Sequence, residues 1–274
     1  MKSFHRRSSR PSPRPAPTAA PSAAGHHDGL RADQLLVEQG LAPSRTVAQR
    51  LIEAGRVSWS GGPVAKAALV LPLSAELAVA ADETDRYFSR GGLKLAGALA
   101  RTGLAVAGRV CLDVGQSTGG FTDCLLQAGA TRVIGVDVGH DQINPRLRAD
   151  PRVTCIEHAN ARALDPAALP VGAFDLIVAD LSFISLTLVL PRLPALLAPA
   201  GDMLLLVKPQ FEVGPEHVGK GGIVRDASLY PVVADKIRQA AQAAGLRVLD
   251  YFDSPIAGTD GNREFFIWTR HEHD

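Results

Sequence analysis

Cysteine is scarce. Cys111, Cys124 and Cys155 are the only three in 274 residues, and they show neither paired metal spacing nor a disulfide framework. All three lie in apolar stretches and read as small buried hydrophobes, which suits a reducing, cytoplasmic setting. No His, Cys and carboxylate cluster suggests a metal, so none is expected. Net charge is nearly absent too. At +1 there is no broad cationic footprint, so any nucleic-acid partner must be met by locally concentrated charge. Long apolar runs are missing. None reaches the ~18 residues that cross a bilayer, and the most apolar window, LTLVLPRLPALLAPAG, is cut by Pro191, Arg192, Pro194 and Pro199. A strongly cationic amphipathic helix is missing as well, which argues against a membrane-active protein.

What is present is enough for one ordinary domain plus a small one, with 46% hydrophobic and 21% charged residues. Residues 1–29 read as a disordered tail in which Pro11, Pro13, Pro15, Pro17 and Pro21 alternate with Ser, Ala and Arg. Lys2, Arg6, Arg7, Arg10 and Arg14 face Asp28 alone, and no apolar segment follows them to make a signal peptide. The tail reads either as an electrostatic arm for RNA or as a solvated end, with the second favoured.

Residues 30–81 read as a compact α+β module. RADQLLVEQG is a short amphipathic helix stopped by Gly40, and Ser44 caps a second, RTVAQRLIEAG, ended by Gly55. Short strands RVSWS and AELAVA follow, with GGP as a turn. Arg31, Arg45, Arg50, Arg56 and Lys66 can form one basic face. The run RADQLLVEQGLAPSRTVAQRLIEAGRV resembles the alpha-L RNA-binding domain first recognised in a small-subunit ribosomal protein. Residues 82–88, DETDRYF, form a charged linker to a second domain over 89–274.

From residue 108 the pattern alternates β and α. RVCLDV, RVIGVDV, RVTCIE, FDLIVADL and DMLLLVKP are the apolar runs expected of strands buried on both faces of a parallel sheet. LRVLDYFD and EFFIWTR are joined by SPIAGTDGNR, too short for a crossover helix, so these two should run antiparallel. The expected fold is thus α/β, with seven strands, mostly parallel, and the last reversed.

The first of those strands ends LDVGQSTGGFTD. Glycines at a strand-to-helix turn let backbone approach a ligand. No lysine follows as a nucleotide phosphate would want, and glycines at 115, 119 and 120 miss the dinucleotide spacing. S-adenosyl-L-methionine, a zwitterion with a sulfonium and no phosphate, fits better. Asp113 suits its cationic groups, and the backbone of Gly115, Gln116, Ser117, Thr118 and Gly119 its methionine part. Asp137, at the second strand's end, is placed to grip the ribose hydroxyls, and Asn160 to read the adenine edge.

At the fourth strand's end, VADLSF lacks the Asn/Asp-Pro-Pro-aromatic run of exocyclic-amine methylation, and no cysteine is placed there for attack on a pyrimidine carbon. Lys208 closes the fifth strand, where a lysine is costly unless paired or used. Glu264 opens the reversed last strand and so reaches the same rim. Lys94 in SRGGLKL and Asp180 can reach that rim too. The set is similar to the Lys-Asp-Lys-Glu tetrad of FtsJ-type ribose 2′-O-methyltransferases, and that resemblance makes these four the predicted catalytic residues. The layout SRGGLKL, DVGQSTGGFTDCLLQ, VDVG, KPQFE, GKGGIVRD and GNREFF over about residues 30–270 resembles the TlyA family, whose members often carry a hemolysin label.

The resemblance implies a class I, Rossmann-like methyltransferase acting on cytidine ribose in ribosomal RNA or ribosomal subunits. Lys208 is the expected base, kept neutral by crowding against Lys94, with Asp180 and Glu264 holding the two lysines. Gln116, where the family more often has a small residue, and EHANAR, in place of E-x-T-N-x-R, are departures, and the second weakens the adenine role of Asn160. For Arg90, a phosphate contact and plain exposure stay equally open. The loop GPEHVGKGGIVRD, with Lys220 and Arg225, is expected to close over RNA rather than merely connect. A membrane-active hemolysin and an RNA-binding assembly factor without activity are the rival functions.

Overall fold

The structure, a computed structural model, describes residues 29–60, 62–82, 86–258 and 260–272. The tail read at 1–29 lies outside these residues except for Gly29, as do residues 83–85 of the linker. The chain divides into two compact units between Ala81 and Asp82.

In the first unit, β1 (Gly29–Arg31) leads into α1 (Ala32–Glu38) and α2 (Arg45–Glu53), followed by β2 (Val57–Trp59), β3 (Gly62–Pro63), β4 (Val70–Pro72) and β5 (Leu77–Val79). Ser44 caps α2 by accepting the Val47 N–H at 3.4 Å. Leu35, Leu36, Ala48, Ile52, Val57 and Leu71 form the small core. Two expectations need correction. Arg31 belongs to β1, paired with Val70, not to the helix, and Gly62–Pro63 is a strand opposite Ser58 and Trp59, not a turn. Strands of two or three residues are too short to leave a periodic trace in sequence.

The second unit opens with α3 (Arg90–Thr102). Ser89 caps it by accepting the Gly91 N–H, and Gly103 ends it in the left-handed conformation at φ +67°. There follow β6 (Val110–Val114), α4 (Gly120–Gln127), β7 (Arg132–Val136), α5 (Pro145–Arg148), β8 (Val153–Ile156), β9 (Phe174–Ala179), β10 (Leu197–Val207), α6 (Leu229–Ala243), β11 (Leu246–Asp253) and β12 (Phe265–His271). One sheet takes the order β11-β12-β10-β9-β6-β7-β8. β12 runs antiparallel to both neighbours, and every other pair is parallel. Ile134, Leu176, Ile177 and Val178 are fully buried, as strands covered on both faces require. Separate cores fill the two faces. Tyr87, read as linker, is part of the second of these cores. Only short 3-10 turns link β9 to β10, because Pro191 and Pro194 interrupt any longer helix there.

This order places the site. β6 lies between β7, reached on one side, and β9, reached on the other, so the crevice beyond its C-terminal end is the sheet's switch point. Reversal of β12 sets Phe265 opposite Val207, which brings Glu264 beside Lys208 at the same rim. Among the described residues, no helix is long and apolar enough to cross a membrane.

Candidate active site

The turn after β6 is built from backbone. Gly115 sits at φ +86°, and a Cβ there would lie 2.7 Å from the Asp180 carbonyl oxygen, so only glycine allows the two loops to touch. Ser117 donates its N–H to Asp137 Oδ2 at 2.7 Å, and Gly139 donates to Asp137 Oδ1 at 2.7 Å. Asp137 therefore fixes the turn while still holding lone pairs for a ligand.

Beneath the turn lies a buried polar chain. Gln116 Nε2 donates to Thr122 Oγ1 at 2.9 Å, and that hydroxyl donates to Asp113 Oδ2 at 2.7 Å. Asp113 is fully buried and its Oδ1 has no protein partner. Burial first, then the neighbouring charges of Asp180 and Asp137, push its carboxyl up to about 7. The Gln116 amide occupies space left by Gly135 on β7, where a Cβ would fall 2.0 Å from it.

Two adjoining cavities open at the rim. One of about 130 Å³ is lined by the glycine turn with Ser117, Thr118 and Phe121. The other, of about 310 Å³, is lined by Lys94, Phe183, Gln210 and Glu264, and both share Asp180, Ser182 and Lys208. The predicted tetrad forms two ion pairs, one in the shared wall and one lining the larger cavity alone. Lys94 Nζ lies 2.6 Å from Glu264 Oε2, with side chains 9% and 3% exposed. Lys208 Nζ lies 2.6 Å from Asp180 Oδ1 and donates to Ser182 Oγ at 2.8 Å. Buried Lys94 has its counter-ion in Glu264, as burial demands, and partly exposed Lys208 has Asp180. Which carboxylate each lysine takes is a pairing the sequence left unassigned.

Asp113, Gly119, Asp137 and Asn160 line neither cavity, and Asp137 reaches the smaller one only through the Ser117 N–H it accepts. Asp113 lies under the turn. Asn160 is exposed four residues past β8, and its Oδ1 accepts the Arg162 N–H at 3.0 Å. Sequence reasoning also missed Phe183. Its ring is 92% exposed, its φ is +63°, and it packs on Phe211 with centroids 5.3 Å apart. A bulky residue in that conformation marks local strain of the kind found at functional sites. The aromatic in VADLSF was the available signal.

The basic residues are partly engaged already. Asp33, fully buried, accepts from Arg31, Arg45 and Gln49. Those bonds, that of Arg31 foremost, hold its carboxyl well below the usual range. Arg56 donates twice to the Ala80 carbonyl, and Arg90 donates to that of Ala257 at 2.9 Å. Arg50, Lys66, Lys220 and Arg225 are exposed. The glycine loop is a pinned hairpin. Val218 bridges Val224, and buried Asn262 accepts the Val224 N–H and donates to the Gly222 carbonyl.

Bare backbone beside acidic groups, with the nearest lysine already paired, fits a cationic ligand without phosphate better than a nucleotide phosphate. A sheet of this order with one reversed strand, opening such a crevice at its switch point, defines a Rossmann-like methyltransferase. An FtsJ-like methyltransferase model matches residues 87–271, and an S4 domain model matches residues 30–73. The chain belongs to the FtsJ-like methyltransferases and, among them, to the TlyA family. It is 46% identical over 244 residues to the 16S/23S rRNA (cytidine-2′-O)-methyltransferase TlyA of Mycobacterium tuberculosis, covering 89% of this chain and 91% of that one. It is 37% identical to Hemolysin A of Brachyspira hyodysenteriae, covering 86% and 98%. A Streptococcus thermophilus structure that carries a hemolysin name superimposes with a TM-score of 0.71 at 40% identity, covering 89% of each chain.

Proposed function

We propose that the protein transfers the methyl group of S-adenosyl-L-methionine to a ribose 2′-hydroxyl, that of a cytidine in ribosomal RNA. The observation that carries this reading is the pair of cavities sharing one wall of Asp180, Ser182 and Lys208, with Lys94 and Glu264 closing the larger one. The smaller cavity suits the cofactor, held by the glycine turn that Asp137 fixes, and the larger suits the acceptor nucleotide.

When bound, the cofactor supplies an already activated methyl, so the residues here have to position the acceptor and take its proton. Lys208 Nζ is the base, steered by Asp180 and Ser182 toward the space between the cavities. To accept a proton it must first be neutral, and Asp180 Oδ1 at 2.6 Å is the nearest acceptor for the one it gives up. Lys94, fixed by Glu264, lines the acceptor side and favours developing negative charge on the 2′ oxygen. Phe183 offers an open ring face for the acceptor base. Arg31 and Arg45, held by Asp33, together with Arg50, Arg56 and Lys66, dock RNA phosphates. Arg90, Lys220 and Arg225 do the same near the rim. The working compartment that follows is the cytoplasm, with ribosomal subunits as the partner.

The test is to incubate the protein with labelled cofactor and unmodified ribosomal subunits or naked rRNA, then digest with alkali. A methylated 2′ oxygen cannot attack its phosphate, so ribose methylation leaves a protected dinucleotide. Lys208→Ala is expected to lose that product by at least ~100-fold while binding the cofactor nearly as before. No protected dinucleotide with the unaltered protein, or loss of cofactor binding in the variant, defeats this assignment.

A further inference from the structure

The turn that follows Lys208 carries one more carboxylate, Glu212, which the reaction above leaves unused. Its side chain is 1% exposed. Oε1 accepts the Leu186 N–H at 2.7 Å, and Oε2 accepts the Ser185 hydroxyl at 2.6 Å and the Lys236 ammonium at 3.0 Å. Lys236 also donates to the Glu212 carbonyl at 2.7 Å. A buried carboxylate with these donors is a fixed point, because freeing the Leu186 N–H or the Ser185 hydroxyl strands a polar group, whereas the Lys236 side chain, 42% exposed, can turn to water.

The donors come from two places, α6 and the loop after β9. That loop begins at Asp180 and carries Ser182 and Phe183 before it reaches Ser185. The loop after β9 and the turn after β10 therefore meet at three rungs. Asp180 and Ser182 hold Lys208, Phe183 packs on Phe211, and Ser185 with Leu186 is held by Glu212. The middle rung is the strained one, with Phe183 at φ +63°. Such a conformation persists only where its surroundings over-determine it. The outer rungs supply that constraint, and Glu212 is the one lying away from the cavities.

The geometry points to Glu212 as a positioning residue for methyl transfer. By gripping Ser185 and Leu186 it sets the register of the two loops, so that Lys208 and Phe183 face the acceptor cavity together. This role rests on the methyltransferase reading. Glu212 touches neither cavity, so it acts through the loop alone.

Three variants test it in the full chain. Glu212→Gln puts an amide donor where an oxygen accepts. Ser185→Ala removes a bond on the loop side, and Lys236→Gln alters only the helix side. Turnover, cofactor Kd and hydrogen exchange of residues 181–188 are measured together. Glu212→Gln and Ser185→Ala are expected to lower kcat by about tenfold to a hundredfold, the scale of a small misplacement of reacting groups. Cofactor Kd stays within about threefold, exchange of the 181–188 amides quickens in Glu212→Gln, and Lys236→Gln keeps its kcat. Unchanged kcat in Glu212→Gln overturns the proposal. So does loss of cofactor binding in step with kcat, or a kcat in Lys236→Gln as low as in Glu212→Gln, since either marks a merely structural anchor. If the unaltered protein makes no methylated ribose, the function itself fails and the positioning role with it, and the exchange data then report separately whether the clamp holds the loop.

Discussion

At the scale of single residues, Asp113 makes stability depend on pH in an unusual direction. Its folded carboxyl titrates at about 7, against about 3.9 for a free aspartate. A raised carboxyl favours the fold while the proton is on. The contribution is full below about pH 4, declines as pH rises toward 7, and is gone above that. Asp113→Asn lacks this titration, so its urea midpoint should vary less between pH 4 and 7 than that of the parent. The difference between the two curves should span on the order of a few kcal/mol. Parallel curves would show that Asp113 does not hold its proton in the fold. Asp180, Lys208 and Glu264 stood out as charges at the ends of apolar runs, whereas Lys94, inside α3, was singled out only through the family resemblance. Which lysine takes which carboxylate was not legible, since the pairing depends on how α3 and β12 pack. Phe183 and Glu212 were hidden for a related reason, because a positive φ and a clamp between two loops are set by distant contacts.

At the scale of elements, α2 is the place to examine RNA docking. Arg45 on this helix is tied to Asp33 at 3.0 Å, whereas Arg50 is exposed. Arg50→Ala should raise the Kd for RNA and flatten the log–log salt dependence by about 0.7, the value of one single-strand phosphate contact. An unchanged slope moves the docking face away from α2. Asp33, by contrast, acts as an organiser of Arg31 and Arg45, and its burial ties that task to the packing of α1. The seven sheet strands were legible because each is an apolar run. The β1–β4 pairing was not, because three-residue strands carry no period and their partnership is non-local. In the glycine loop the turn was legible from composition, while its anchor on Asn262, far along the chain, was not.

At the scale of the whole molecule, the two units have separate cores. A single unfolding step is therefore not expected, and scanning calorimetry should resolve two. A cofactor that binds the second unit at a hundredfold excess over its Kd stabilises it by about 2.7 kcal/mol. For a unit of this size that raises one transition by roughly 5–10 °C and leaves the other in place. A common shift of both would mean that the units unfold as one. The position of β12 has a consequence for synthesis. Among the strands of this sheet it is the last to be made, yet it occupies an interior slot between β10 and β11. Until it emerges from the ribosome, the apolar edge of β10 has no partner, and the acid that pairs with Lys94 has only just been added. A nascent chain halted before that point would present an open strand edge to its neighbours. Completion of the sheet and formation of the Lys94–Glu264 pair at its rim thus coincide, both set by the arrival of one strand.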